Sequence, residues 1–244
     1  MEGCLGVVRQ IAALLFIVAL PVALITTNVR IAANEPRVHE YAIDHYGGVA
    51  TTGIARGELL RGSAELRRYF NNNDDTLFIR VEKDGQPVSL FNRRETAHLR
   101  DVKTLFQATF RVQEASVIFV LAYVVAVFIW ARESTLRTLA TQLLASGLLS
   151  LVVIAAVGGI AVAGFDAAFE RFHLIAFDNE LWQLDPDRDR LIQMFPEAFW
   201  RDISVWVGIG TLAELGVLAA AAGAYLGLTR RSAATYAVPS GAQA

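Results

Sequence analysis

Cysteine is almost missing from this chain. The one residue, Cys4, stands ahead of the first apolar run, so no internal disulfide can form and the thiol is not placed for lipid attachment after a signal peptide. With four scattered histidines beside it, a CxxC or Cys/His zinc knuckle is excluded as well. Basic charge is not in excess: Lys and Arg number 22 against 24 Asp and Glu. The chain therefore carries no electrostatic footprint for nucleic acid or for a strongly anionic surface. It has no G-x-S-x-G, so no nucleophile elbow is on offer either.

What the chain has in plenty is apolar surface. Hydrophobic residues make up 54% of its 244 positions and gather in long runs, the composition of a membrane protein. Crossing about 30 Å of hydrocarbon takes roughly 20 helical residues, and four stretches reach that scale: 5–29, 115–130, 139–165 and 203–228. The first, interrupted by Arg9, Gln10 and Pro21, has a signal peptide as its alternative; its core is long for that and no clear A-x-A site follows. Gly147, Gly158, Gly159, Gly208, Gly210, Gly216 and Gly223 are expected to let the last two spans pack closely.

Arg132 and Arg137 in the short middle connection, with Arg230 and Arg231 after the last span, place those segments and both termini on the cytoplasmic side. The loops 30–114 and 166–202 then share the outer face. The second holds nine acidic residues against four arginines, which that rule tolerates outside. The expected architecture is a mainly α membrane protein: four transmembrane helices with a small mixed α/β extracytoplasmic cap built from the first outer loop. Its parts are a first span at 1–29, the cap at 30–114, the second and third spans within 115–165, an outer motif loop at 166–202, the fourth span at 203–228 and a cytoplasmic tail at 229–244.

Within the cap, NEPRVHEYAIDHYGG reads as a helix starting near Pro36, with Val38 and Tyr41 on one face and Gly47–Gly48 as its stop. GELLRGSAELRRYF sets Leu59, Leu66 and Phe70 at helical spacing. TLFIRVEKDGQPVSLFN reads as a β-hairpin turning at Asp84 and Gly85. In ETAHLRDVKTLFQATFRVQ, Leu99, Val102, Phe106 and Phe110 recur every three or four residues and lead without a break into the second span; the stretch reads as an amphipathic helix ending the cap, either lying in the outer interface or extending that span.

On that helix His98 and Asp101 are three apart and therefore neighbours; Glu170 and His173 repeat the spacing beyond the third span. A carboxylate beside an imidazole fixes its tautomer and strengthens it as a base. His39 and His45 have no such setting and read as surface or loop-packing residues. In the segment RFHLIAFDNELWQLDPDRDRLIQMFPEAFWR, Asp185 and Pro186 mark a turn, Phe195 and Pro196 mark the entry to the fourth span, and Trp182 and Trp200 suit an interfacial aromatic belt.

HLRDVK (98–103) and FHLIAFDNELWQLDPDRDRLIQMFPEAFW (172–200), set among four spans with a large first outer loop, resemble the bacterial lipoprotein intramolecular transacylase (Lit) family. The resemblance implies two catalytic histidines at His98 and His173 and no cofactor or metal. It also implies diacylglyceryl-modified lipoproteins as substrates, membrane lipid as surroundings, and a multi-pass protein of the bacterial cytoplasmic membrane with its site at the outer leaflet. The implied reaction moves the sn-2 acyl chain of the diacylglyceryl group onto the α-amino group of the same lipoprotein's N-terminal cysteine, leaving a lyso-form.

That chemistry suits the residues. An α-amino group with a pKa near about 8 needs a base to free its lone pair, and imidazole is suited to that and to protonating the departing glyceryl oxygen. Because donor and acceptor belong to one molecule, proximity supplies much of the rate, and no serine or cysteine nucleophile is required. Which histidine is the base stays open. Asp101, Lys103, Arg171, Asn179 and Asp185 are candidates to orient the histidines, stabilise an oxyanion or bind substrate. Two other classes compete. A metal-dependent lipid hydrolase would ligate through His98, His173 and Asp101 or Asp185; a non-catalytic protein would use the cap to bind a partner. A transporter is disfavoured, since Glu214 alone is charged deep in a span.

Overall fold

The structure, a computed structural model, describes residues 2–130 and 135–236. Arg132 lies outside them, and the side chains of Cys4 and Arg231 are not described. In chain order the elements are α1 (Glu2–Asn34), α2 (Pro36–His45), α3 (Gly48–Thr52), α4 (Arg56–Phe70), β1 (Arg80–Lys83), β2 (Gln86–Ser89), α5 (Arg93–Trp130), α6 (Thr135–Ala163), α7 (Phe165–Ala176), α8 (Arg190–Met194) and α9 (Glu197–Tyr236). Four of these, α1, α5, α6 and α9, are long and apolar enough to cross a membrane. The chain is a mainly helical, multi-pass membrane protein.

Those helices are longer than the hydrocarbon is thick. The 38 residues of α5 extend about 57 Å at 1.5 Å each, and all its charged residues, from Arg93 to Glu114, precede residue 115. The charge-free remainder is the apolar run 115–130. In α9, likewise, Glu197, Arg201 and Asp202 precede the apolar run that starts near residue 203. Exposed Ile118, Leu121, Phe128, Leu148 and Val217 are the surface expected where a helix faces lipid.

Contacts divide the chain into two units. One comprises Met1–Ile25, Gln113–Ala155 and Ile209–Ala244. Its core is Phe16, Leu20 and Leu215, with the Phe16 ring stacked 4.7 Å from that of Tyr123. The N-terminal apolar run therefore supplies core to this unit. Tyr123 and Gln142 exchange side-chain hydrogen bonds of 3.1 and 2.8 Å, and Ser146 and Ser150 continue the buried polar side of α6, the polar glue of helices that gain nothing from hiding carbon from lipid.

The glycines contribute less than expected. A Cβ at Gly147 would touch Ala219 at 3.8 Å, but at Gly158, Gly159, Gly216 and Gly223 it would meet nothing within 4 Å. Packing in this unit runs through Leu143, Leu215 and Leu218.

The second unit comprises Thr26–Val112 and Ala156–Gly208. Leu59, Leu66 and Phe70 of α4 pack with Ala42 and Ile43 of α2, Ile79 and Val81 around β1, and Leu99 of α5. The late segment joins the same core through Met194, Phe195 and Phe199. Two glycines matter here. Gly47 stops α2 at a left-handed φ of 69°, and Gly62 lets α4 close on the hairpin, since a Cβ there would stand 2.5 Å from Leu90 Cδ2. Strands β1 and β2 pair antiparallel with Lys83 opposite Gln86, and Asp84 and Gly85 turn between them at φ of 53° and 73°, the double positive φ of a type I′ hairpin. Among the described residues that hairpin is all the β structure there is.

Candidate active site

His98 and His173 come together inside the second unit. Their ring centres are 6.2 Å apart, and both residues are buried, at 6% and 7% exposure. No hydrogen bond joins the two rings directly.

Position begins at the start of α5. Asn92 Oδ1 accepts from the Arg94 and Glu95 amides at 2.8 and 3.0 Å, while Glu95 Oε2 accepts from the Asn92 amide at 2.6 Å. This is a capping box, and the N-x-x-E in NRRE was its unread signature. Glu95 also reaches across the fold: its Oε1 accepts from the Leu191 amide at 2.6 Å. Asn92 Nδ2 donates to Asp189 Oδ1 at 2.7 Å, and Asp189 Oδ2 accepts from the Asp185 amide at 2.8 Å. The motif loop is thereby fastened to the helix that carries His98. Burial pushes the Glu95 carboxyl above its ordinary range, against the pull of the two backbone donors.

The other histidine is held from α7. His173 Nδ1 bonds the Phe169 carbonyl at 2.7 Å. A carbonyl can only accept, so the neutral ring carries its proton on Nδ1 and leaves Nε2 with a free lone pair. The expected partner, Glu170, is exposed and does not take this role. The carbonyl one turn back already faces the ring, and its second lone pair is free to bind it. Asp101 also departs from expectation: it acts on His98 through space, but its Oδ2 accepts from Asn179 Nδ2 at 2.9 Å. That bond ties the segment following α7 to α5, one turn beyond His98. Arg94 adds a second tie by donating to the Glu180 carbonyl at 2.8 Å.

Rings enclose the pair. Phe169, Trp182, Phe172 and Phe177 lie with ring centres 4.3, 4.9, 5.2 and 5.6 Å from that of His173, and Phe177 is also 5.1 Å from His98. Trp182, read from the sequence as an interfacial anchor, thus belongs to the site. Apolar walls disfavour the imidazolium. Burial pushes His98 down to about 4, with the neighbouring His173 adding to the effect, and burial lowers His173 against the pull of the Phe169 carbonyl. Both rings are neutral at pH 7. His98 Nδ1 is buried and makes no hydrogen bond.

The remaining candidates lie elsewhere in the network. Lys103 is buried, but its Nζ is spent on Asn72 Oδ1 at 2.8 Å and the Asp74 carbonyl at 2.7 Å, and it sits 4.0 Å from the Tyr69 ring centre. It fastens the 71–76 loop to α5. Asp185 shapes the loop turn, accepting from the Asp187 amide at 2.9 Å. Arg171 is exposed, and no contact joins it to either imidazole. His39 is an internal strut, bonded to the Ala33 carbonyl at 3.0 Å and Ser63 Oγ at 2.7 Å, while His45 is exposed and stacks on Tyr41. Among the described residues no three His, Cys, Asp or Glu side chains converge to hold a metal ion.

Comparison with known proteins decides the affiliation. The family model described as lipoprotein intramolecular transacylase Lit matches residues 14–200. The chain belongs to the Lit family. It is accordingly a membrane acyltransferase that acts on lipoproteins. A protein of Aquifex aeolicus (strain VF5), described only as uncharacterized, is 25% identical over 204 residues, covering 82% of this chain and 88% of that one. The solved in meso structure of the membrane-integral Lit from Bacillus cereus shares the fold at a TM-score of 0.72, with 16% identity and coverage of 93% of this chain and 99% of that one. The same protein with a histidine replaced by alanine gives a TM-score of 0.73 at 16% identity, over 94% of this chain and 99% of that one.

Proposed function

We propose that the chain transfers the sn-2 acyl group of a lipoprotein's diacylglyceryl unit to the α-amino group of that lipoprotein's own N-terminal cysteine, with His173 as general base and His98 as proton relay. The observation that carries this reading is the pairing of two neutral, buried imidazoles, 6.2 Å apart, within one aromatic enclosure. The free Nε2 of His173 takes the proton shed by the amine as nitrogen attacks the ester carbonyl. When the carbon–oxygen bond to glycerol breaks, a proton is returned to that oxygen, and His98 carries it across the gap. The products are an amide and a secondary alcohol, with no water consumed. The surrounding Phe and Trp rings favour that outcome by keeping water from the ester, and the unimolecular geometry supplies much of the rate. The site faces the outer leaflet, its two histidines supplied by the cap, 30–114, and by the outer motif loop, 166–202.

Mass spectrometry of a model lipoprotein's N-terminal peptide tests this, using a host that lacks N-acylation, with and without the protein. The expected product is an N-acyl, monoacylglyceryl peptide. A diacylglyceryl peptide with a free amine, despite good expression, overturns the reading.

A further inference from the structure

We propose that the cleft between the end of α1 and the last turn of α4 binds the phosphate of an anionic phospholipid headgroup. This does not rest on the acyl-transfer reading. The cleft, about 360 Å³ in volume, is lined by Asn34, Ala64, Arg67, Arg68 and Asn71. Two adjacent arginines line this open cleft.

Neither guanidinium forms an ion pair or hydrogen bond among the described residues, whereas Arg56, Arg61 and Arg190 of the same unit are engaged. Arg56 pairs with Asp44 at 2.7 Å, Arg61 with Glu58 and Glu65, and Arg190 donates to the Ser89 carbonyl. Basic residues in a helix's last turn offset its dipole, which explains their charge but not the open cleft they line. Glu35 and Glu40 act on Arg67 through space without reaching ion-pair distance; Glu35 accepts from the Arg37 amide at the start of α2.

The cleft is built and held. Asn34 Nδ2 donates to the Arg30 carbonyl at 2.8 Å, and Asn71 Nδ2 donates to Asn34 Oδ1 at 2.6 Å and to the Arg67 carbonyl at 2.8 Å. These amides fasten the last turn of α4 to the last turn of α1, so the arginines stand over a fixed floor. Guanidinium forks match phosphate oxygens bidentately, and two of them set side by side supply the charge that a phosphodiester requires.

Depth identifies the source of the phosphate. Asn34 ends a helix of 33 residues, about 50 Å long at 1.5 Å per residue. A hydrocarbon core of about 30 Å leaves its last turns among the headgroups. A lipid phosphate is presented there continuously, with its acyl chains directed along the apolar part of the same helix.

The test is native mass spectrometry of the purified full-length protein in detergent, titrated separately with dioctanoyl phosphatidylglycerol and with neutral dioctanoylglycerol. The proposal expects one saturable phosphatidylglycerol adduct, weakened roughly tenfold or more in an R67Q/R68Q double variant, and no saturable adduct of the neutral lipid. An unchanged adduct in a folded double variant overturns it. So does equal retention of the neutral lipid. A third arm measures thermal stabilisation by inorganic phosphate: arginine-dependent binding of phosphate as tight as that of the lipid would mark a free-anion site and overturn the lipid assignment. If R67Q/R68Q does not fold, the single R68Q variant at an exposed position carries the same comparison.

Discussion

His98 illustrates what burial does to a titrating group. Its folded-state pKa, about 4, lies below the ordinary 6.5, so the unfolded chain binds the proton more readily. The stability this residue contributes is full above 6.5 and is lost as pH falls toward 4. Between pH 7 and pH 5 the loss is about 2 kcal/mol, from about 1.4 kcal/mol per pH unit. Thermal melts should show a His98→Asn variant losing less stability than the parent over that interval; equal slopes would contradict the shift. Lys103 makes a different residue-level claim. Its ammonium satisfies Asn72 and the Asp74 carbonyl. Lys103→Met should lower stability by about 1–3 kcal/mol by leaving those acceptors unpaired, while activity per folded molecule stays near that of the parent. A loss of turnover without a loss of stability would move Lys103 into the chemistry.

At the scale of elements, the site depends on the clasp that joins the start of α5 to the motif loop. Glu95 is 1% exposed and accepts two backbone amides, one from each segment. Glu95→Gln keeps the shape but sets an NH₂ group against one of those donors, a mismatch costing about 1–3 kcal/mol. The variant should melt earlier and expose the 178–195 segment to protease, which limited proteolysis followed by mass spectrometry will detect. Much of this scale was legible in the sequence. The Leu99–Phe110 periodicity marked the amphipathic start of α5, and Asp84–Gly85 marked the hairpin, because local spacing and turn chemistry decide such features. The partners of the histidines were not legible. Helical spacing pointed to Asp101 and Glu170, whereas a backbone carbonyl holds His173 and Asn179, 78 positions away, takes Asp101. Main-chain acceptors have no sequence signature, and tertiary pairs have no fixed spacing. The place of Trp182 beside His173 was not legible for a related reason: an aromatic near a membrane edge fits a belt whichever way its ring faces.

For the whole molecule, the family affiliation, the shared fold and four membrane-length helices agree on a multi-pass acyltransferase. The proposed orientation has its own test. In a Cys4→Ser background, a Gln86→Cys substitution at the exposed hairpin should react with a membrane-impermeant maleimide added to intact cells. Labelling only after lysis would invert the topology and place the site on the wrong leaflet for the proposed substrate. The central claim, however, is that two imidazoles act as one proton-handling device. It is tested most directly by measuring turnover of a defined diacylglyceryl lipopeptide by the parent, His98→Ala, His173→Ala and the double variant. If the rings work as a unit, each single change costs roughly 10²–10⁴-fold and the double variant is no slower than the worse single one. Losses that multiply in the double variant would mean the two histidines act independently, and the shared mechanism would fall.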